Sequence, residues 1–206
     1  MIPKIIHQIW IGKKQPPQEL MDTWKIPEYE YVLWDEEKLR SLQMVNKDKY
    51  DYFYDKGLYY GSADIARVEI LHRYGGVYID ADTKRLKDLP NEWFNYNFFA
   101  VKVSSNEKDV KYRIANSIMA CEQESSLMKD YKDAITYATK IEPCWSTIGG
   151  TALTKVVTEN YANDPSVLIL EPWTFFPVNM KKRKHEKYED AYAIHFWGSK
   201  TKKIYK

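Results

Sequence analysis

The chain has 206 residues, of which 44% are hydrophobic and 29% charged, a composition that fits one folded domain and excludes a disordered chain. Its two cysteines, Cys121 and Cys144, are too few for a disulfide framework or a cysteine-rich metal site, so we interpret both as buried thiols. No apolar run reaches the roughly 18 residues of a membrane helix, and the first residues become polar too early for a signal peptide. We therefore expect a soluble, cytoplasmic protein with one domain over residues 1–206.

The charged residues are distributed unevenly. Residues 181–206 carry nine Lys or Arg and three Asp or Glu, which gives this segment a net charge of +6, whereas the whole chain is only +2. Such a basic end indicates an anionic partner, namely a nucleotide phosphate, a nucleic acid or a membrane surface, or else a solvated lysine-rich segment. The charge alone does not decide between these interpretations.

Predicted strands and helices alternate along the chain. In chain order, we predict a strand at residues 4–11, a strand at 28–34, a helix at 36–45 capped by Asp35, helices at 48–60 and 62–74, strands at 77–79 and 97–103, helices at 125–140 and 151–161, and strands at 167–170 and 191–197. This alternation predicts an α/β fold, a sheet between layers of helices, with ligands bound at the carboxyl ends of the strands.

The clearest helix covers residues 62–74. Ser62 is its expected N-cap, apolar residues recur along it at a spacing of three, and Gly75-Gly76 is expected to end it. The short strand after the glycines leads directly into Asp80 and Asp82. We therefore expect this helix and this strand to position the functional side chains of the protein.

Asp80-Ala81-Asp82 is the only D-x-D sequence in the chain. Alternate side chains at a strand end point to the same side, so we expect the two carboxylates to lie together. Such a pair can bind a hard divalent cation, Mn²⁺ or Mg²⁺, that keeps positions open for substrate phosphates. The alternative is a turn in which both aspartates cap backbone amides.

Asp64 and Arg67 are three residues apart and therefore share one face of the preceding helix. As an exposed salt bridge the pair would contribute little to stability. Beside a metal–phosphate site, however, the arginine could clamp a diphosphate and the aspartate could accept hydrogen bonds from sugar hydroxyls.

Three segments of the chain resemble one family of enzymes. Residues 62–83 (SADIARVEILHRYGGVYIDADT) look like the motif of the DXD-containing sugar transferases of glycosyltransferase family 32, which include yeast initiating mannosyltransferases. The same segment is similar to the catalytic core of the large clostridial glucosylating toxins. Residues 2–12 (IPKIIHQIWIG) resemble the first strand of this family, and residues 195–200 (HFWGSK) its last metal-binding strand. The likeness covers nearly the whole chain.

This resemblance implies a GT-A fold with a mixed, mostly parallel sheet. It implies a metal-dependent enzyme that transfers a hexose from a UDP-sugar, with UDP-glucose as the first candidate, to a glycan or another hydroxyl acceptor, with retention of anomeric configuration. It also implies catalytic roles for Asp64, Arg67 and Asp80, and a Mn²⁺ or Mg²⁺ ion bound by Asp80, Asp82 and His195.

The resemblance further implies which residues contact the donor. Trp10 would stack on uracil, the backbone of residues 7–10 would read the edge of the base, and Trp197 and Lys200 would approach the diphosphate. The full set of implied donor-binding residues is His7, Gln8, Ile9, Trp10, Asp64, Arg67, Tyr78, Asp80, Trp197 and Lys200.

Two other functions remain open from the sequence. A sugar-phosphate nucleotidyltransferase also uses paired aspartates and a metal, but it usually needs a glycine-rich phosphate loop, which residues 12–14 (GKK) replace poorly. A non-catalytic carbohydrate- or nucleic-acid-binding module would use the many aromatic residues and the basic end, without metal dependence. We favour the sugar transferase and expect no nucleic-acid partner.

Residues 145–150 (WSTIGG) predict a glycine-containing loop before a helix, which we interpret as a wall on the acceptor side, with a simple turn as the alternative. The chain also departs from the family that it resembles, since we expect in it neither the membrane anchor of the secretory members nor the large helical insertions of the toxins. We therefore expect either a minimal enzyme or the catalytic module of a longer polypeptide.

Overall fold

The computed structural model describes residues 1–103, 113–177 and 189–197. Within these ranges the strands are β1 (Ile5–Ile9), β2 (Glu30–Trp34), β3 (Gly76–Ile79), β4 (Thr83–Arg85), β5 (Phe98–Val103), β6 (Arg113–Cys121), β7 (Val167–Leu170) and β8 (Ala193–His195). The helices are α1 (Gln18–Asp22), α2 (Glu36–Ser41), α3 (Lys47–Asp55), α4 (Tyr59–Tyr74), α5 (Ser126–Thr136), α6 (Cys144–Thr147) and α7 (Gly150–Asn160), with 3₁₀ turns at Asn91–Asn95 and Pro172–Thr174. None of these described helices combines the length and apolar character needed to span a bilayer.

Six of the described strands form one mixed sheet in the order β2-β1-β3-β6-β5-β7. Strand β1 is parallel to both of its neighbours, β5 is parallel to β7, and β6 runs antiparallel to β3 and β5. The chain passes from β1 to β2 on one side and returns to β3 on the other. This reversal creates a crevice at the carboxyl ends of β1 and β3, which is where open α/β sheets bind ligands.

Two hydrophobic clusters cover the two faces of the sheet. On one face, helices α4, α5 and α7 pack against β-strand side chains that include Tyr78, Phe98 and Met119. On the other face the chain uses aromatic side chains from loops and 3₁₀ turns, among them Trp24 and Phe175. The α/β layering predicted from the sequence is confirmed, although helices dominate only one of the two layers.

Helix α4 begins earlier than the sequence predicts. Ser62 lies inside the helix, where its hydroxyl donates to the Tyr50 carbonyl at 3.0 Å, so its prediction as the N-cap is wrong. The helix extends back to Tyr59 because Gly61 allows close packing: a Cβ at Gly61 would lie 2.5 Å from the Phe53 ring. Gly57, with φ of +68°, separates α4 from α3, so the helix predicted over residues 48–60 is present as Lys47–Asp55 but does not continue to residue 60.

The other predicted elements differ from the structure mainly at their ends. Asp35 caps α2 as expected, accepting from the Lys38 amide at 3.0 Å, but α2 ends at Ser41. The helix predicted over residues 125–140 ends at Thr136. Strand β6 was not predicted. Both cysteines are free and buried, as expected.

The glycine pair that ends α4 is required by close backbone contacts. Gly75 and Gly76 have φ of +65° and +90°, which side chains rarely adopt. A Cβ would lie 2.6 Å from the Gln123 amide at Gly75 and 2.7 Å from the Ile5 carbonyl at Gly76. Through this turn the chain passes from helix α4 directly into β3, a central strand of the sheet.

The buried imidazole of His7 lies between helix and sheet in neutral form. Its Nε2 is 3.0 Å from the Gly75 carbonyl, and its Nδ1 accepts from the Trp34 indole at 3.1 Å. Burial lowers the pKa of His7 from 6.5 to about 4, although the hydrogen bond to Gly75 acts in the opposite direction. An imidazole with this pKa resists protonation in the folded protein.

We expect His7 to make the fold sensitive to acid. Below pH 6.5 the His7 imidazole binds a proton in the unfolded chain but not in the folded protein. The free energy of unfolding therefore falls as the pH is lowered to about 4, by roughly 3 kcal/mol in total. Urea denaturation of the wild type and of His7→Gln at several pH values measures this effect. A difference between the two proteins that stays constant from pH 7 to pH 4 would contradict it.

Candidate active site

The predicted site residues converge on the crevice between β1 and β3. Asp80 follows β3, and Trp10 follows β1, where its amide donates to the Trp34 carbonyl at 3.0 Å. The N-terminal end of α4 lies at the same edge, since a Cβ at Gly12 would lie 2.5 Å from the Tyr59 ring. Helix, strand ends and the loop after β1 therefore meet at one place.

Asp80, Asp82 and His195 form the group that could hold a metal ion among the described residues. One ligand atom from each of the three lies within 4.8 Å of the others. His195 Nε2 is 2.8 Å from Asp82 Oδ1 and 3.7 Å from Asp80 Oδ2. The two aspartates lie close together as predicted, but a turn at residues 81–82, not alternation along the strand, brings them there. The imidazole of His195, from a distant part of the sequence, lies beside both.

The ladder between β4 and β8 positions the imidazole. His195 pairs with Thr83, the residue after Asp82, and the Phe196 amide donates to the Asp82 carbonyl at 3.0 Å. Because this ladder pairs the backbone on both sides of Asp82 and His195, the fold itself holds the His195 imidazole close to the aspartates.

The charge state of His195 depends on the neighbouring carboxylates. Burial by itself would lower the pKa of His195, but the hydrogen-bonded Asp82 carboxylate and the nearby Asp80 carboxylate raise it above its usual value. Its second nitrogen, Nδ1, is buried and has no hydrogen-bond partner among the described residues. The carboxylate oxygens of this group are donors that suit Mn²⁺ or Mg²⁺.

Arg67 connects helix α4 to the Asp80–Asp82–His195 group. Its Nη2 lies 3.1 Å from Asp80 Oδ1 and 3.4 Å from Asp64 Oδ1, and its guanidinium carbon lies 4.6 Å from the centre of the Tyr78 ring. Burial would lower the pKa of Arg67, but Asp80, Tyr78 and Asp64 raise it, so the side chain stays charged. The buried guanidinium of Arg67 therefore lies directly beside Asp80 and Asp64.

Asp80 is the residue shared by both groups. Its Oδ1 accepts from the Tyr78 hydroxyl at 2.8 Å and faces Arg67, whereas its Oδ2 faces His195. Burial raises the pKa of Asp80, while the positive charge of Arg67 acts against this shift. Tyr78 and Arg67 therefore contact Asp80 directly, and Asp64 is connected to it through Arg67.

The residues at the end of β1 have different environments. The side chains of His7, Gln8 and Ile9 are buried in the fold, whereas Trp10 is only partly buried and its indole donates to the Lys14 carbonyl at 2.8 Å. The β1–β3 ladder ends at the pair His7–Tyr78, so the two strands separate beyond that point. A role for residues 7–9 in ligand binding would therefore use the backbone.

At the other end of the chain, Trp197 lies against the metal-binding group. Its ring centre is 4.2 Å from that of His195, and its indole nitrogen is buried without a hydrogen-bond partner among the described residues. Lys200 lies outside the described residues, so its predicted contact with a diphosphate stays a prediction.

The segment predicted as a loop on the acceptor side contains a short helix instead. Cys144–Thr147 forms α6, and α7 begins at Gly150, so only two residues separate the helices. The segment nevertheless approaches the site, because a Cβ at Gly149 would lie 3.3 Å from Asp64 Oδ2. Burial and the Asp64 carboxylate also raise the pKa of the Cys144 thiol to about 12.

Comparison with known proteins identifies the family. Residues 18–100 match the model of the glycosyltransferase sugar-binding region containing the DXD motif. An uncharacterized glycosyltransferase of Acanthamoeba polyphaga mimivirus is 32% identical over 171 residues, which cover 69% of this chain and 68% of the relative. The chain belongs to the DXD-containing glycosyltransferase family.

Two further similarities bear on this glycosyltransferase. The inositol phosphoceramide mannosyltransferase 3 of Schizosaccharomyces pombe is 38% identical over 93 residues, which cover 39% of this chain and only 24% of the yeast protein. The UDP-bound glycosyltransferase domain of the YGT toxin superposes with a TM-score of 0.60 at 12% identity, covering 82% of this chain and 79% of that domain. The solved structure confirms the predicted GT-A fold.

Sequence analysis of this glycosyltransferase missed Asn116. Its Nδ2 donates to Asp64 Oδ1 at 2.7 Å, and its carbonyl accepts from Arg67 Nη1 at 2.7 Å. The residue lies on β6, the strand that was not predicted, and an asparagine within an apolar run carries no spacing signal of its own. Asn116 holds the helix-borne pair Asp64 and Arg67 in register with the sheet.

Proposed function

We propose that this glycosyltransferase transfers a hexose from a UDP-sugar to a hydroxyl group of a glycan or another acceptor, with a divalent cation at Asp80, Asp82 and His195. UDP-glucose is the first candidate donor, and residues 1–206 act as one catalytic domain. The observation that carries the proposal is the continuous chain of contacts from the Asp80–Asp82–His195 group through Arg67 to Asp64 at the switch point of the sheet.

The donor set of the site fits Mn²⁺ or Mg²⁺. Two carboxylates and one imidazole present ligand atoms within 4.8 Å of one another, and they leave positions open for phosphate oxygens. When bound, such an ion supplies positive charge that stabilises the departing diphosphate. Binding requires His195 to be neutral, so metal affinity should fall as the pH falls.

The remaining residues of the site would bind and orient the donor. Arg67 is a permanent, buried cation that can form hydrogen bonds with the diphosphate. Asp64 Oδ2 faces the Gly149 side of the site, where it can accept from sugar hydroxyls. Trp197 has a buried indole N–H available for a phosphate oxygen. Trp10 would stack on the base at the opposite end of the crevice.

The transfer step follows from this arrangement. The acceptor hydroxyl oxygen forms a bond to the anomeric carbon, the bond between that carbon and the UDP oxygen breaks, and UDP keeps the electron pair. We propose that the hydroxyl proton passes to the departing phosphate on the same face of the sugar, which retains the anomeric configuration. Asp64 and Asp80 are both hydrogen-bonded or ion-paired, so we assign neither of them as a covalent nucleophile.

Two comparisons support different parts of this proposal. The YGT toxin domain has UDP bound to the same fold, which supports the nucleotide. The yeast relatives are named mannosyltransferases, and this observation makes mannose a second candidate for the transferred sugar. The names of the yeast relatives also include inositol phosphoceramide, so this lipid is one candidate acceptor.

The proposal is tested by measuring nucleotide release from UDP-glucose, UDP-galactose, UDP-N-acetylglucosamine and GDP-mannose with Mn²⁺ or Mg²⁺. We expect release from one donor, and its loss when the metal is chelated and recovery when metal is restored. Pyrophosphate release from UTP and a sugar phosphate would instead identify a nucleotidyltransferase. Nucleotide release that is insensitive to chelation would contradict the metal assignment.

We expect Trp10 to contribute to nucleotide binding. Replacing Trp10 with Ala should weaken UDP binding by about 1–3 kcal/mol, because one base stack on an aromatic ring is lost, and Trp10→Phe should lose less. Calorimetric titration with UDP measures both variants. Unchanged affinity in both variants would show that the Trp10 indole makes its hydrogen bond to the Lys14 carbonyl but does not contact the nucleotide.

A further inference from the structure

The loop after β1, residues 10–14, is held by hydrogen bonds at both of its ends. The Trp10 amide donates to the Trp34 carbonyl at 3.0 Å, which continues the pairing of β1 with β2 by one residue. The Trp10 indole nitrogen donates to the Lys14 carbonyl at 2.8 Å. The backbone of Trp10 and one edge of its ring therefore have fixed partners within the protein.

The middle of this loop lies between the first residues of two helices. The Gly12 amide donates to Glu36 Oε1 at 2.6 Å, and Glu36 is the first residue of α2. On the other side, a Cβ at Gly12 would lie 2.5 Å from the ring of Tyr59, the first residue of α4. Gly12 also has φ of +95°, which side chains rarely adopt. The loop thus needs glycine at this position, and it has contacts on both sides.

The two acidic residues at the start of α2 have different partners. Asp35 accepts from the Lys38 amide of its own helix at 3.0 Å, whereas Glu36 accepts from a backbone amide 24 positions away in the sequence. Glu36 is partly buried, and a hydrogen bond from an amide to a carboxylate is stronger than one between neutral groups. The next residue, Glu37, is exposed and has no hydrogen-bond partner in the part of the chain that the structure describes. Glu36 alone of these residues connects α2 to the loop.

We propose that Glu36 is a positioning residue for nucleotide binding. By holding the Gly12 amide it keeps the loop against Tyr59, and it thereby fixes the Trp10 ring in place for the base. The inference rests on the proposed function, in which the base stacks on Trp10. A loop that is already ordered loses less conformational entropy when a ligand binds, so the contribution of Glu36 should appear in nucleotide affinity. Glu36 acts through Trp10 and does not itself contact the nucleotide.

The first test compares Glu36→Ala, Glu36→Gln and the control Glu37→Ala by calorimetric titration with UDP and Mg²⁺. We expect Glu36→Ala to weaken UDP binding about tenfold, because a charge-assisted hydrogen bond that orders the loop is lost. The glutamine oxygen can still accept from the Gly12 amide, so Glu36→Gln should lose less, and Glu37→Ala should bind as the wild type does. In transfer assays Glu36→Ala should raise the donor KM and leave kcat unchanged.

A second measurement needs no nucleotide. Hydrogen exchange of the Gly12 amide, followed by NMR, should be at least about tenfold faster in Glu36→Ala than in the wild type or in Glu37→Ala. Equal exchange rates in all three proteins would show that Glu36 does not hold the loop, and would overturn the inference whatever the enzyme binds.

A double-mutant cycle with Trp10→Ala separates positioning from direct contact. If Glu36 acts through Trp10, Glu36→Ala should weaken UDP binding by less than about twofold once Trp10 is already replaced. An undiminished tenfold loss in the Trp10→Ala background would mean that Glu36 contacts the nucleotide itself, and unchanged UDP affinity in the single variant Glu36→Ala would mean that it has no part in binding. Either result would overturn the inference.

Gly12→Ala tests the loop from the side of Tyr59, with Gly57→Ala as its matched control. Both glycines have positive φ, but an added Cβ meets the Tyr59 ring at Gly12 and has no atom within 4 Å at Gly57. We expect weaker UDP binding only in Gly12→Ala, and equal affinities in the two variants would contradict the role of the loop. Failure of the proposed function would appear separately, as absence of nucleotide release from every sugar donor by the wild type.

Discussion

Replacing Asp82 with Ala is expected to reduce sugar transfer at least about a thousandfold while the protein stays folded. The carboxylate lies 2.8 Å from His195 Nε2 and is one of three ligand atoms available to the cation, so its loss leaves too few ligands to hold the metal–diphosphate complex. The side chain is partly exposed, and the variant should therefore retain its structure. Transfer assays and metal-dependent UDP binding measure the effect.

Asp88 offers a matched control for this variant. It lies six residues further along the chain, its side chain is 82% exposed, and it pairs with Arg85 at the surface. Asp88→Ala should retain normal transfer and normal UDP binding. If folded Asp82→Ala turned over the donor as fast as Asp88→Ala, Asp82 would not be a metal ligand.

Removing the charge of Arg67 is expected to affect stability and activity together. In Arg67→Ala the partly buried Asp80 loses its main counter-charge, and the about 3–5 kcal/mol of unfolding free energy that breaking a fully buried pair costs is the upper value for this change. Arg67→Lys keeps the charge but not the planar fork that also binds the Asn116 carbonyl, so it should lose less stability. Urea denaturation of both variants gives the values.

Arg73→Ala is the control on the same helix. Arg73 is exposed, and a surface substitution of this kind changes stability by less than about 0.5 kcal/mol. Where Arg67→Ala does not fold, Arg67→Lys still tests the assignment, because weaker UDP binding in a folded protein requires a contact with the donor. UDP binding by Arg67→Lys equal to that of Arg73→Ala would show that Arg67 is structural only.

The sequence located the two aspartates proposed to bind the metal because their arrangement is set by local structure. Gly75 and Gly76 end a helix, four residues form a buried strand, and a turn directly after that strand brings Asp80 and Asp82 together. These steps involve neighbours in the sequence. The resemblance to the family added His195, which no local pattern could connect to Asp82.

Strand β6 shows where prediction from the sequence failed. The strand, Arg113–Cys121, has apolar side chains on both faces because helices cover one side and aromatic side chains the other, so the alternation typical of a half-buried strand is absent. Its partners β3 and β5 are set by long-range pairing. Asn116 was missed together with the strand that carries it.

The early start of α4 has the same kind of cause. Gly61 weakens the local helix signal, but contact with Phe53 on α3 stabilises the extra turn in the folded protein. That turn carries Tyr59, whose ring lies against Gly12 in the loop after β1 at the edge of the site. Tertiary packing, rather than intrinsic propensity, therefore placed part of the proposed site.

The pairing of β4 with β8 joins two distant parts of the chain. His195 meets Asp82 across 113 positions of sequence, and closing so long a loop costs about 4 kcal/mol of chain entropy. In the described part of the chain β8 pairs only with β4 and not with the six-stranded sheet. The imidazole therefore stays beside the aspartates only while this two-stranded ladder is formed. We expect a loosening of the ladder to weaken metal binding while the pairing of the six-stranded sheet is kept.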